Sequence, residues 1–343
     1  MLFGALGMYS VAGGIFDATV KKQLATIALS SATGLLIAKI EQKLIYRSII
    51  FFYVIFLFLL LFTTLFGHKA MGAQRWINFG ILNIQPAEFI KILIILALSQ
   101  YFHVMSSGLV MFPLVWIVPF IIVLFPVSLI VKQPNLGTAT IIILNVAAIL
   151  YLAGTRTMYF IVSGILFLAA MPVFWLNLHP YQKKRVIVFL HPESDPLGSG
   201  YNILQSIISI GSGGTYGKGF VNGSQNQLKF LPENHTDFIF ALIAEEGGFI
   251  TCLVVFIVYL ALLSILLIFS LRCTSQFGRL FIAGYAVLLF LHVFINIAMI
   301  SGILPVVGVP LPFLSYGGSN IMAMTVGAAL SANFFHNRTS SQL

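Results

Sequence analysis

The run SIIFFYVIFLFLLLFTTLF, Ser48 to Phe66, decides the fold class. It carries no charge and matches the span of about 20 mostly apolar residues that a bilayer core demands of a helix. Met111–Val131 repeats the pattern. Continuous apolar runs exclude a β-barrel, whose strands alternate in short segments. The whole chain follows suit, with 59% hydrophobic and only 8% charged residues and a mean hydropathy of +1.02. A soluble domain carries about 25% charged residues, so a soluble protein is excluded. The expected fold is all-α, a polytopic integral membrane bundle of about ten transmembrane helices.

Those spans fall near 1–14, 24–39, 48–66, 85–103, 110–131, 137–154, 158–177, 237–270, 279–302 and 314–335. Met1 runs straight into Leu2-Phe3-Gly4-Ala5-Leu6 with no basic leader, so the start reads as a short first span and not a signal peptide. No repeat, low-complexity tract or soluble domain interrupts the chain. Residues 1–343 read as one membrane domain. Most connections are short; the exception, about 178–236, is polar and Gly-rich, and long loops beside compact bundles concentrate function.

With the N-terminus inside, short cytoplasmic loops carry Lys39, Lys43, Arg47, Arg156, Arg272, Arg279 and Arg338, and outer ones Lys21, Lys22, Lys69, Arg75 and Lys132. The positive-inside rule therefore favours this orientation, with the long loop outside. The net charge of +9 comes from 18 basic and 9 acidic residues. It suits anionic head groups or a phosphate-bearing partner. The basic residues are scattered over short loops, which argues against nucleic acid. Cys252 and Cys273 flank one apolar run and, on a continuous helix, would stand roughly 30 Å apart, beyond disulfide reach.

The acidic residues carry most information, because charge in or near a bilayer is costly and usually has a partner or a task. Six of the nine lie between 193 and 246. Asp237 stands at a helix entry in Leu231-Pro232-Glu233-Asn234-His235-Thr236-Asp237-Phe238. Two readings are open from its chemistry. With Asn234 as N-cap, Asp237 would sit in the first turn, where negative charge is favoured. Alternatively it is a general base taking a proton from a sugar hydroxyl, with His235 assisting. Glu245 and Glu246 lie two turns deeper; an ion pair inside the bundle is the first reading of Glu245.

Glu88 and Lys91 are spaced i, i+3 and can meet, as a salt bridge or as part of a polar cavity, with Pro86 suited to the first helical turn. In the preceding outer loop Arg75 could hold a phosphate, and Trp76 could stack on sugar or anchor the interface. Gly211-Ser212-Gly213-Gly214-Thr215-Tyr216-Gly217-Lys218-Gly219 fails as a phosphate loop: Ser212 and Gly219 occupy places where a Walker motif needs Gly and Ser or Thr. It reads as a turning surface loop with one lysine. No Ser precedes a Lys by three residues, which argues against a serine acyltransferase of the penicillin-binding type. The scattered His residues indicate no zinc hydrolase.

Several of these segments carry a family resemblance. Gly72-Ala73-Gln74-Arg75-Trp76, Gln85-Pro86-Ala87-Glu88 with Lys91, Gln133-Pro134-Asn135-Leu136-Gly137-Thr138, and Tyr181-Gln182-Lys183-Lys184-Arg185-Val186 are similar to the SEDS family (shape, elongation, division and sporulation). So are Pro192 to Tyr201, the Leu231 to Phe238 segment, and Pro310-Leu311-Pro312-Phe313-Leu314-Ser315-Tyr316-Gly317-Gly318-Ser319. The match is colinear over nearly the whole chain. The Gly211 to Gly219 run followed by Gly223-Ser224-Gln225-Asn226-Gln227-Leu228 resembles the elongation type more than the division type.

The resemblance implies a peptidoglycan glycosyltransferase that polymerises lipid II at the outer face of the bacterial cytoplasmic membrane. It would add to a growing glycan strand and work with a class B penicillin-binding protein in the elongation machinery. The family's essential aspartate falls on Asp237, its Arg-Trp loop on Arg75 and Trp76, and its buried pair on Glu88 and Lys91. Divalent cation dependence, on Mg or Mn, is a family trait with no assigned ligands. Lys183, Lys184, Arg185 and Lys218 join Arg75 as candidates to hold the pyrophosphate leaving group. Two rivals are a flippase for lipid-linked precursor and a non-catalytic scaffold activating a penicillin-binding protein.

Overall fold

Apolar runs of this length become helices because lipid offers the backbone no hydrogen-bond partner, so each segment must satisfy its own amides. The computed structural model describes residues 1–70, 73–78, 83–105, 110, 112–177, 180–196, 198–228, 230 and 235–336. Gly72, Glu233, Asn234 with its expected capping role, and Arg338 lie outside the described residues.

The chain begins with α1 (Leu2–Val11), α2 (Ala18–Ala38) and α3 (Gln42–Phe66). A short antiparallel meander follows, β1 (His68–Ala70), β2 (Ala73–Asn78) and β3 (Asn83–Ile84). Then come α4 (Pro86–Val104), α5 (Ile117–Lys132), α6 (Leu136–Leu152) and α7 (Thr157–Asn177). The long connection carries α8 (Pro180–Leu190), α9 (Ser199–Ser212) and the single turn α10 (Ser224–Gln227). Last are α11 (Ile239–Arg272), α12 (Gln276–Ile300) and α13 (Gly318–His336).

Among the described residues, five helical stretches are long and apolar enough to cross a membrane: α3, α4, Leu114–Lys132, α11 and α12. Leu2–Val11 and Leu136–Leu152 are shorter apolar helices, and α7 is apolar over Thr157–Val173. The β meander was not anticipated. His68–Ile84 has no long apolar run, and strands this short give little periodicity to read. In it His68 lies opposite Trp76 and Ile77 opposite Ile84.

Two compact units are distinguished. One comprises Leu24–Thr155, Ala261–Leu291 and Gly317–Leu343. Its inner helix is α4, 61% of whose spanning window is buried, against 17% for α3. α3 turns Phe51, Phe58 and Leu65 outward, as a lipid-facing helix does. Polar groups of this unit are spent on helix ends. Asn333 Nδ2 donates to the carbonyls of Ile37, Ala38 and Ile40, at and just past the end of α2, where helical partners for carbonyls run out. Gln133 Nε2 donates to Leu60 O and to the Thr63 and Thr64 hydroxyls.

The other unit comprises Met1–Gln23, Arg156–Leu260 and His292–Tyr316. Here the Gly-rich run is not a free surface turn. α11 breaks at Gly248, whose φ of 67° and ψ of −168° no helix contains. The loop from Gly213 to Gly219 is spliced into that break. Lys218 N and Gly219 N donate to the carbonyls of Glu245 and Glu246, while Phe249 N and Ile250 N donate to Gly214 O and Thr215 O. Backbone groups freed by an interrupted helix must be satisfied inside the protein, and these four bonds do so. Only glycine fits at 248: its φ is left-handed, and a Cβ there would lie 2.3 Å from Gly217 N.

Candidate active site

Asp237 lies in the turn His235–Phe238, and α11 starts at Ile239. The carboxylate therefore precedes the first helical turn and does not sit inside it, as the capping reading required. Phe238 is buried and its carbonyl accepts from Ala241 N and Leu242 N, so Phe238 anchors the helix start. Asp237 itself is half-buried.

The main chain of this turn is held from two sides within its unit. Tyr316 N donates to His235 O at 2.9 Å, and the two rings lie 5.7 Å apart. Asn296, fully buried on α12, donates from Nδ2 to Asp237 O at 2.9 Å and to Val309 O at 2.6 Å. That second bond brings the Pro305 to Pro312 segment alongside. A Cβ built on Gly308 would stand 3.3 Å from Asp237 Oδ2, so the backbone at 308 lies close against the carboxylate. Leu311 N donates to Ser315 Oγ and the Tyr259 hydroxyl to Pro312 O, fixing the same segment.

The other acidic residues of this unit are differently placed. Glu245 is fully buried. Its Oε1 accepts from Lys218 Nζ at 2.7 Å, Ser224 Oγ at 3.0 Å and Gln225 N at 3.1 Å, and its Oε2 from Ser209 Oγ at 3.4 Å. The pair with Lys218 is the internal ion pair read first from the sequence. Glu246 accepts from the Ser10 hydroxyl and from the amides of Val221 and Gly223. Lys184 pairs with Asp195 at 3.1 Å, largely exposed, and Lys183 Nζ donates to Leu176 O. Arg185 is half-buried on α8.

In the other unit, Glu88 and Lys91 form a buried pair at 2.9 Å, and Asn320 Nδ2 donates to Glu88 Oε2 at 2.6 Å. Ser319 Oγ accepts from Gln85 N and donates to Asn83 O. Arg75 and Trp76 lie on β2, both half-buried. Arg75 donates from Nε to Gln133 O and from Nη2 to Pro134 O, so part of its fork holds the turn before α6. Among the described residues no three His, Cys, Asp or Glu side chains converge as metal ligands would.

Sequence reading passed over Asn296 and Gly308. Asn296 had one signal: a lone amide in the apolar run from Leu291 to Ile300, where a polar residue is costly and usually has a partner. Gly308 had none, since its value comes from what faces it.

The family model described as Cell cycle protein, covering FtsW, RodA and SpoVE, matches residues 2–340. The chain belongs to this family. It is 36% identical over 346 residues to the peptidoglycan glycosyltransferase MrdB of Escherichia coli (strain K12), spanning 98% of this chain and 91% of that protein. Stage V sporulation protein E of Bacillus subtilis (strain 168) is 34% identical over 78% of this chain and 73% of its own length. Among solved structures, a chain of a peptidoglycan synthase complex that coordinates polymerization and crosslinking matches with a TM-score of 0.86. It is 27% identical and the match covers 99% of this chain and 96% of that one. The rod shape determining protein RodA of Thermus thermophilus shares the fold, with a TM-score of 0.71 at 24% identity over 98% and 94% of the two chains.

Proposed function

We propose that this protein is an inverting peptidoglycan glycosyltransferase that polymerises lipid II at the outer face of the bacterial cytoplasmic membrane, with Asp237 as general base. One observation carries the reading. Asp237 is a half-buried carboxylate in a turn whose main chain is held by Asn296 at Asp237 O and by Tyr316 at His235 O, in a chain 36% identical throughout to a peptidoglycan glycosyltransferase. A base must be held within reach of the proton it removes, and a fixed main chain limits where the carboxylate can point.

In this mechanism Asp237 removes the proton of the GlcNAc 4-hydroxyl of lipid II as that oxygen attacks the anomeric carbon of the donor MurNAc. The bond to undecaprenyl pyrophosphate breaks, and α becomes β. One carboxylate suffices, because a pyrophosphate leaves without a strong acid; a glycoside hydrolase uses two. The departing charge calls for cations. Lys183 and Arg185 on α8 are the proposed source in this unit, because Lys184 and Lys218 are engaged by Asp195 and Glu245. Arg75 and Trp76 remain proposed contacts of the lipid-linked substrate.

A divalent cation, Mg or Mn, is part of the proposal. Magnesium commonly binds through one or two carboxylates plus substrate phosphates. A single carboxylate such as that of Asp237, with a diphosphate beside it, fits that donor pattern. When bound, the ion would offset diphosphate charge. A class B penicillin-binding protein of the elongation machinery is the proposed partner. The fold match to a synthase complex that couples polymerization to crosslinking supports it.

The test is polymerisation of purified lipid II by the full-length protein with its partner, comparing parent with Asp237→Asn. Loss of glycan strands from a well-folded variant is expected. Retained polymerisation would sink the base role, and an inactive parent that still activates the partner would favour a scaffold.

A further inference from the structure

We infer that Asn296 is a positioning residue for Asp237, and that Gly308 is glycine because the carboxylate needs the space beside it. The inference rests on the reading of Asp237 as the base.

Asn296 sits on α12 with no exposed surface, in an environment where an amide is costly to bury. Both of its Nδ2 protons are committed. One goes to the peptide carbonyl of Asp237 and the other to that of Val309. Its Oδ1 is buried and has no partner among the described residues. An apolar residue of the same size would avoid that penalty, so packing alone does not account for an amide here.

What the amide does is geometric. It ties the peptide that carries the Asp237 side chain to the peptide beside Gly308. Gly308 has a φ of +67°, a conformation that suits glycine. The same residue presents the site where a Cβ would lie 3.3 Å from Asp237 Oδ2. A single side chain thus sets the distance between the proposed base and the backbone that flanks it. Misplacing a reacting group by about 1 Å can cost roughly 100-fold in rate, so loss of this tie is a kinetic event before it is a binding event.

Asn296→Leu keeps the volume and removes both donors. In the full-length protein with its partner, kcat for lipid II polymerisation should fall by about 10- to 100-fold while KM stays within roughly 3-fold. The acid limb of the kcat–pH profile should move, because the surroundings of the carboxylate change. A merely structural asparagine would lower the amount of folded protein and leave kcat per folded molecule and the pH profile at parental values; that result overturns the inference. Should Asn296→Leu fail to fold, Gly308→Ala tests the same geometry with both donors intact. It should give the same split, and parental kcat and pH profile overturn the inference. Asp237→Asn measured alongside separates the two claims. An active Asp237→Asn removes the base reading. An inactive one, with Asn296→Leu at parental kcat and pH profile, removes the positioning inference alone.

Discussion

Asp237 and Glu245 are eight residues apart in the chain, yet their surroundings differ in kind. Glu245 is fully buried and meets four donors, three on Oε1 and one on Oε2. Asp237 is half-buried, and the Asn296 amide grips its main chain. Glu88 in the other unit follows Glu245, with a lysine and an asparagine on its carboxylate. A buried carboxylate held by an ion pair and further side-chain donors is a structural clasp. One whose backbone is fixed beside a glycine has geometry that chemistry can use. Two carboxylates close in the sequence therefore meet different surroundings, and those surroundings are what the proposed division of tasks rests on.

The contrast can be broken most directly at Asp237. Asp237→Asn should lower polymerisation by about 100- to 10,000-fold, the usual worth of a general base, with an unchanged melting temperature in detergent. A variant that unfolds would instead place Asp237 with the clasps. Next in size is Lys91→Met, which strands Glu88 as a buried charge and should cost about 3–5 kcal/mol of stability. Adding Glu88→Gln should recover much of that loss in thermal melts, because a buried pair is often replaceable although half a pair is not. No recovery would mean that the pair does more than balance charge.

Glu245→Gln is expected to be milder. It removes one charge of a pair whose lysine is 30% exposed, so solvent screens it and the cost should be about 1–2 kcal/mol. Activity per folded molecule should stay within a few-fold; a kinetic collapse without loss of stability would erase the distinction from Asp237. The smallest effect concerns Asp17, whose carboxyl is held below its usual range by the Thr19 hydroxyl and the Val20 amide at the start of α2. A depressed carboxyl contributes stability above its unfolded value and loses that contribution as pH falls through its folded value. Melting temperatures of parent and Asp17→Ala should therefore differ at neutral pH and converge in strong acid.

Much of this was legible in residues alone. Hydropathy located the apolar helices, since a helix in lipid is specified by its own composition. The i, i+3 spacing of Glu88 and Lys91 anticipated their pair; the charge census drew attention to Asp237, and the family resemblance singled it out. The meander around Arg75 was not legible, because its strands are too short to show a period. The helix break was not legible either: Gly247-Gly248 in an apolar run does not announce that Gly213 to Gly219 will fill the gap.

By itself, then, the sequence determined the helical membrane architecture, the length of the connection before α11, and which carboxylates stood as candidates. These depend on local composition, which each segment carries wherever it packs. Only tertiary structure decided what surrounds each carboxylate. The donors to Glu245 come from Ser209, Lys218, Ser224 and Gln225, and the clamp on Asp237 comes from Asn296, 59 residues away. Convergence over such separations is set by how the helices pack, and no window along the chain contains it.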